Sequence, residues 1–161
     1  FLSAPKHSND TGMVVGAFAG YKITRYLSVE ANYIHLPDSA IQMGQTATFV
    51  GWYPKLPADG RFTSHTEAFD LTAHLRQEIF NTGIYAYGMA GAGYVYRHDI
   101  MSKRGTLSAA FGFGLDRKIT KHINAEVNFT YITGQDKATV DPVNYYIPYI
   151  DTLNFGVSYQ I

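Results

Sequence analysis

The chain has 161 residues, no cysteine and a formal net charge of zero. That length suits one domain; the absence of cysteine excludes a disulfide framework and a thiolate metal site, and the balanced charge leaves no electrostatic case for nucleic acid. Charged residues make up 16%, against roughly 25% in a usual soluble domain, and no run of about 18 apolar residues exists to form a transmembrane helix.

Taken in chain order, Phe1–Asp10 reads as loop with no signal peptide ahead of it, so the start is expected to be cut or processed. Seven stretches then alternate apolar and polar residues: Gly12–Lys22, Tyr26–Ile34, Thr63–Gln77, Gly83–Tyr96, Thr106–Lys118, Ile123–Ile132 and Thr152–Ile161. A period of two is the signature of a strand, and it explains these stretches better than helical spacing. In the second, Leu27, Val29, Ala31 and Tyr33 oppose Ser28, Glu30 and Asn32. In the third, Phe69, Leu71, Ala73 and Leu75 oppose Asp70, Thr72, His74 and Arg76. The fourth is ambiguous; its best parity turns Ile84, Ala86, Gly88, Ala90 and Ala92 outward and Tyr85, Tyr87 and Met89 inward. The fifth sets Leu107, Ala109, Phe111, Phe113 and Leu115 on one face, and the sixth Ala125, Val127, Phe129 and Tyr131. The last is the clearest, with Leu153, Phe155, Val157, Tyr159 and Ile161 on one side and Asn154, Gly156, Ser158 and Gln160 on the other.

The connections alternate strictly in length. Those around Thr24-Arg25, Phe80-Asn81-Thr82 and Thr120-Lys121-His122 are short; Leu36–Arg61, His98–Gly105 and Gly134–Ile150 are long and polar. Lys22-Ile23-Thr24-Arg25-Tyr26-Leu27 recurs as Lys118-Ile119-Thr120-Lys121-His122-Ile123, with a looser copy at Glu78–Ile84. Repeated strand–turn–strand units predict hairpins in series, an up-and-down meander. Short turns at one rim and long loops at the other are the pattern of a bacterial outer-membrane barrel. A soluble sheet would accommodate the polar faces equally well. The apolar faces favour the membrane, because Tyr21, Tyr33, Phe129, Tyr131 and Tyr159 lie near strand ends with aliphatics between, as aromatic girdles flank a lipid band.

Gly16-Ala17-Phe18-Ala19-Gly20-Tyr21, Val29-Glu30-Ala31-Asn32-Tyr33, Leu71-Thr72-Ala73, Ile84-Tyr85 and Leu153–Tyr159 resemble, in order and spacing, the transmembrane domain of OmpA-type outer-membrane proteins. The resemblance runs from about Gly12 to Ile161. It implies an all-β, antiparallel, up-and-down transmembrane barrel of eight strands, seven of them visible here, in a single domain spanning residues 1–161. The eighth is expected upstream of Phe1, with a signal peptide before it, and the family's periplasmic peptidoglycan-binding domain is not in the sequence. The resemblance further implies residence in the bacterial outer membrane, contact with its lipid and lipopolysaccharide, assembly by the barrel-assembly machinery, and no cofactor or enzymatic activity. Asn154, Gly156, Val157, Tyr159 and Ile161 resemble the C-terminal signal read by that machinery, although the family usually ends in Phe.

In such barrels acidic and basic side chains fill the lumen, and Glu30, Asp116 and Glu126 match acidic positions. His74 stands where the resemblance suggests a lysine and Asn124 where it suggests an arginine; Arg76, on the same face as Asp70 and His74, is the substitute partner. Two readings stand side by side: a gated, pH-sensitive lumen with His74 as the titrating group, and a static plug that fills the interior. A small pore is allowed rather than implied, because eight strands leave little open lumen.

No histidine pair has the spacing of a metal motif such as HxH or HExxH. Ser64, His65 and Glu67 invite comparison with small outer-membrane lipid A-modifying enzymes, but neighbours on a strand point to opposite faces and cannot share a proton. Trp52 and Tyr53 in the first long loop, and Tyr145 and Tyr146 in the last, are candidate contacts for an extracellular ligand, which would make the protein an adhesion barrel. Equally, they extend the barrel wall. A soluble ligand-carrying barrel would need the tyrosine-rich faces turned inward.

Overall fold

The computed structural model describes residues 5–9, 12–43, 61–100, 103–134, 147 and 149–159. Among these residues nine strands form one sheet: β1 (Pro5–Asn9), β2 (Val15–Lys22), β3 (Leu27–His35), β4 (Ser39–Met43), β5 (Arg61–Glu78), β6 (Ile84–His98), β7 (Lys103–Lys118), β8 (Ile123–Ile132) and β9 (Ile150–Tyr159). The long strands lie side by side as β2-β3-β5-β6-β7-β8-β9, each antiparallel to its neighbour. β4 pairs with the start of β5, and β1 pairs with β4, as a short flap at the long-loop rim.

The flap corrects the expected layout. Pro5–Asn9 lies in a segment read as loop, so strand begins within the chain ahead of Gly12, and the expectation of a first strand lying only upstream of Phe1 gives way to β1. Likewise Ser39–Met43 falls inside a segment read as connection, β5 begins at Arg61, and β7 begins at Lys103 opposite His98. The reason is physical. Beyond the apolar band a strand edge needs only a backbone partner, and outward residues such as Arg61, Thr63 and Lys103 carry no apolar alternation to mark it.

Burial alternates along β5 with a period of two: Phe62, Ser64, Thr66, Ala68, Asp70, Thr72 and His74 are buried, while Leu71 and Leu75 are 58% and 68% exposed. The same parity carries Phe111, Phe113, Leu153, Phe155 and Val157 outward, and the ambiguous β6 resolves with Tyr87 and Met89 buried inside. From Leu107 to Leu115 the outward band runs eight steps, about 26 Å along the strand, or about 20 Å in height at the usual barrel tilt. Large inward side chains lie over glycines of the adjacent strand. A Cβ at Gly114 would fall 2.5 Å from the Tyr87 ring, and one at Gly112 would fall 2.2 Å from the Met89 methyl.

The sequence repeat is a repeated turn. The Thr24 hydroxyl accepts hydrogen bonds from the Tyr26 and Leu27 amides at 3.1 and 3.0 Å, and Thr120 does the same for His122 and Ile123 at 3.3 and 3.1 Å. Both turns are closed by backbone bonds to the carbonyl of the first strand residue, Leu27 or Ile123. The third short turn differs: Phe80 and Asn81 take positive φ (47° and 56°), and Glu78 accepts from the Gly83 amide at 3.0 Å.

β2 and β9 are the lateral edges, and no ladder joins them among the described residues. Both run toward the short-turn rim, so an antiparallel ladder cannot join them directly. The sheet is curled into a half-barrel that brings the two edges near each other: a Cβ at Gly156 on β9 would lie 3.3 Å from the Phe18 ring on β2. A cavity of about 680 Å³ occupies the seam and reaches the interior beside Glu30, Asn32 and Glu126.

Thr24→Ala and Thr120→Ala are each expected to destabilise the fold by about 1 kcal/mol, because two amides lose their local acceptor. Thr→Ser at either site retains the hydroxyl and most of the stability. Urea unfolding followed by tryptophan fluorescence measures both; equal midpoints for the Ala and Ser variants would refute the assigned role of the hydroxyl.

Candidate functional site: a layered interior

The interior is stacked in layers, each built from inward positions of several strands. At the short-turn end Arg76 on β5 donates from Nη2 to Asp116 Oδ1 on β7 at 2.5 Å, with both side chains about nine-tenths buried. The Arg76 guanidinium also lies 4.3 Å over the Tyr85 ring. Register places Asp116 opposite Tyr85 and Glu126 opposite Asp116. A planar, always-charged guanidinium suits this position, since it bonds a carboxylate and stacks on an aromatic face at once.

One layer higher, His74 Nε2 is 2.9 Å from Thr72 Oγ1 and 4.0 Å from Glu30 Oε1. Its ring stacks on Tyr87, with centroids 5.0 Å apart and planes within 9°. Above it, Asn32 Nδ2 donates to Asp70 Oδ1 at 2.9 Å. Asn154 Nδ2 donates to Asn128 Oδ1 at 2.9 Å and to Thr152 Oγ1 at 3.0 Å, so amides and hydroxyls form a ladder across β8 and β9. All six residues expected in the lumen, Glu30, Asp70, His74, Arg76, Asp116 and Glu126, are therefore on the inner face. The basic partner of Asp116 is Arg76, while His74 lies nearest Glu30.

Two features were not anticipated. Toward the long-loop rim the lumen turns apolar: Ile34, Ala68, Val95, Ala110, Ile132, Ile147 and Ile150 form one buried cluster, with Val14 and Leu36 packed against it. Above this layer sits a second buried ion pair, Arg97 Nη2 to Asp99 Oδ2 at 2.6 Å, with the Ser64 hydroxyl donating to the same carboxylate at 3.1 Å. The apolar inward residues fell on the faces read as polar, and their signal was confined to one position per strand. Asp99 lay in a segment read as loop.

The Ser64-His65-Glu67 arrangement does not assemble. Ser64 is committed to Asp99 inside, whereas His65 points outward with its Nδ1 2.5 Å from Asp38 Oδ1. Asn154 and Gly156 of the C-terminal pattern face inward, Val157 and Tyr159 are 72% exposed on the outer face, and Ile161 lies outside the described residues. Trp52, Tyr53, Tyr145 and Tyr146 also lie outside the described residues. Among the described residues no three His, Cys, Asp or Glu are grouped to hold a metal ion.

An antiparallel sheet with a charged, hydrogen-bonded inner face and an apolar, aromatic-edged outer face defines a membrane-associated structural all-β domain. The chain matches the OmpA-like transmembrane domain over residues 2–161, and it belongs to that family. It is accordingly an outer-membrane, non-catalytic domain of the cell envelope. No curated protein matches the chain.

Arg76→Met is expected to destabilise the protein by about 3 kcal/mol, because it leaves the Asp116 carboxylate buried without its partner. The double variant Arg76→Met, Asp116→Leu should recover most of that loss. A denaturant-unfolding double-mutant cycle measures the coupling; strictly additive effects would show that the pair does not act as a unit.

Proposed function

We propose that this domain closes into a transmembrane β-barrel whose role is structural, anchoring in the outer membrane with a lumen plugged rather than open. The buried apolar layer is the observation that carries the reading. Ala68, Val95, Ala110 and Ile132 are 0% exposed, and a dry constriction of this kind opposes ion passage even where polar layers lie below it. Closure is favoured at the β2 and β9 edges, which no ladder joins among the described residues, since an unpaired backbone group in hydrocarbon costs several kcal/mol. Lipid and lipopolysaccharide are the partners that an outward band of this height fits. The alternation of Val157 and Tyr159 on the outer face of β9 suits recognition by the assembly machinery. On this reading the lumen groups around Glu30, His74 and Arg76 pack the barrel and hold its register.

Two experiments test it. Extracted protein should run as a compact band unboiled and a slower band after boiling; identical bands with protein in the soluble fraction would overturn the membrane reading. In planar bilayers the wild type should be nearly silent, while Val95→Ser with Ile132→Ser should conduct at least several-fold more. Ready conduction by the wild type, unchanged in the double variant, would restore the small-pore reading.

A further inference from the structure

On the outer face, above the apolar band, the β5–β6 ladder sets His65 directly opposite His98. The two rings are 6.2 Å apart, centre to centre, and tilted by 45°. Both are exposed. Asp38 Oδ1 lies 2.5 Å from His65 Nδ1; a neutral imidazole that donates its Nδ1–H to this carboxylate carries its free lone pair on Nε2. A carboxylate on the far nitrogen of an imidazole is the usual support of a metal-bound histidine, fixing its tautomer and raising its basicity.

We infer that His65 and His98 together bind one divalent first-row transition-metal ion, Zn²⁺ or Cu²⁺, with Asp38 as the positioning residue and water completing the coordination. With metal–nitrogen bonds of about 2.0–2.1 Å, two imidazoles on a tetrahedral ion have ring centres about 5 Å apart, and on a wider angle about 6 Å. The observed separation is at the wide end, and rotation of two exposed side chains closes it. Ligand chemistry selects the ion. Two neutral imidazoles without a carboxylate cluster suit Zn²⁺ or Cu²⁺ and give Ca²⁺ or Mg²⁺ no oxygen cage. Glu67, two residues from His65 on the same face, is engaged by the Tyr33 hydroxyl at 3.2 Å and lies 3.6 Å from His35. Lys103, opposite His98 in the next ladder, adds positive charge to the row, so affinity rests on the imidazole bonds rather than on attraction to a negative surface. The ligands are 33 positions apart in sequence, and only the hairpin register brings them together.

Both ligands lie on the β5–β6 hairpin and Asp38 just ahead of β4, so the site does not rest on the proposed barrel function. Its test is calorimetric titration of the folded full-length chain with ZnCl₂, alongside nitrogen hyperfine structure in Cu²⁺ electron paramagnetic resonance. One ion per chain and two coordinating nitrogens are expected. His65→Ala and His98→Ala should each weaken Zn²⁺ binding at least tenfold, and Asp38→Asn by about tenfold. His7→Ala and His122→Ala should leave it unchanged. Zn²⁺ should also raise the urea midpoint of the wild type but not of the two histidine variants. His65→Gln and His98→Gln repeat the comparison where an alanine variant fails to fold. No binding by the wild type, or wild-type affinity retained in the His65 or the His98 variant, overturns the site.

Discussion

Alternation along a strand leaves a side chain two destinations, the lipid-facing surface or a narrow interior, and the rest of this structure follows from how the interior is filled. Lipid offers no hydrogen bonds, so each polar group sent inward must find its partner there. Arg76–Asp116 and Arg97–Asp99 meet that demand at opposite ends of the lumen, with side-chain amides between them. A curled sheet of this width has little room, which makes the glycines of β7 as necessary as the charges: Tyr87 and Met89 occupy the space that side chains at positions 114 and 112 would take. Charge pairing and small-against-large packing are thus one solution to one constraint.

Between the two ion pairs lies the apolar layer. Its position matters more than its size, since the same inward faces that carry Asp70 and Thr130 carry Ala68 and Ile132 two residues away. Side chains with no exposed surface thus separate the polar layers on either side of it. An interior of this kind resists local rearrangement because each layer is braced by the one above it, and a charged pair held under a dry layer cannot exchange partners without opening it.

The long strands and their facing were legible in the chain because lipid imposes a period of two on the outward residues. Leu153, Phe155 and Val157 could be read directly, and the repeat at Lys22 and Lys118 gave away its own turn. β1, β4 and the upper ends of β5 and β7 were not legible for the converse reason: water accepts any outward residue, so Arg61 or Lys103 leaves no pattern. The polar parity of each strand is readable from the sequence, yet which carboxylate meets which base depends on lateral register. That register pairs Arg76 with Asp116 across two ladders, 40 positions apart. The apolar layer escaped notice because Ile132 and Val95 are ordinary strand residues at any position until a third dimension aligns them.

The same logic bears on the edges. Antiparallel neighbours alternate in direction, and β2 and β9 run alike, so among the described residues no ladder pairs the two edges across the Phe18–Gly156 approach. In water such edges tolerate solvation; in hydrocarbon they do not, and the penalty grows with every residue between Val15 and Lys22. Glu30, Asn32 and Glu126 border that seam from inside. A closed seam pairs backbone at both edges, keeps small or polar side chains on the carboxylates and turns apolar ones to lipid. Those requirements restate for the seam the alternation that governs each long strand.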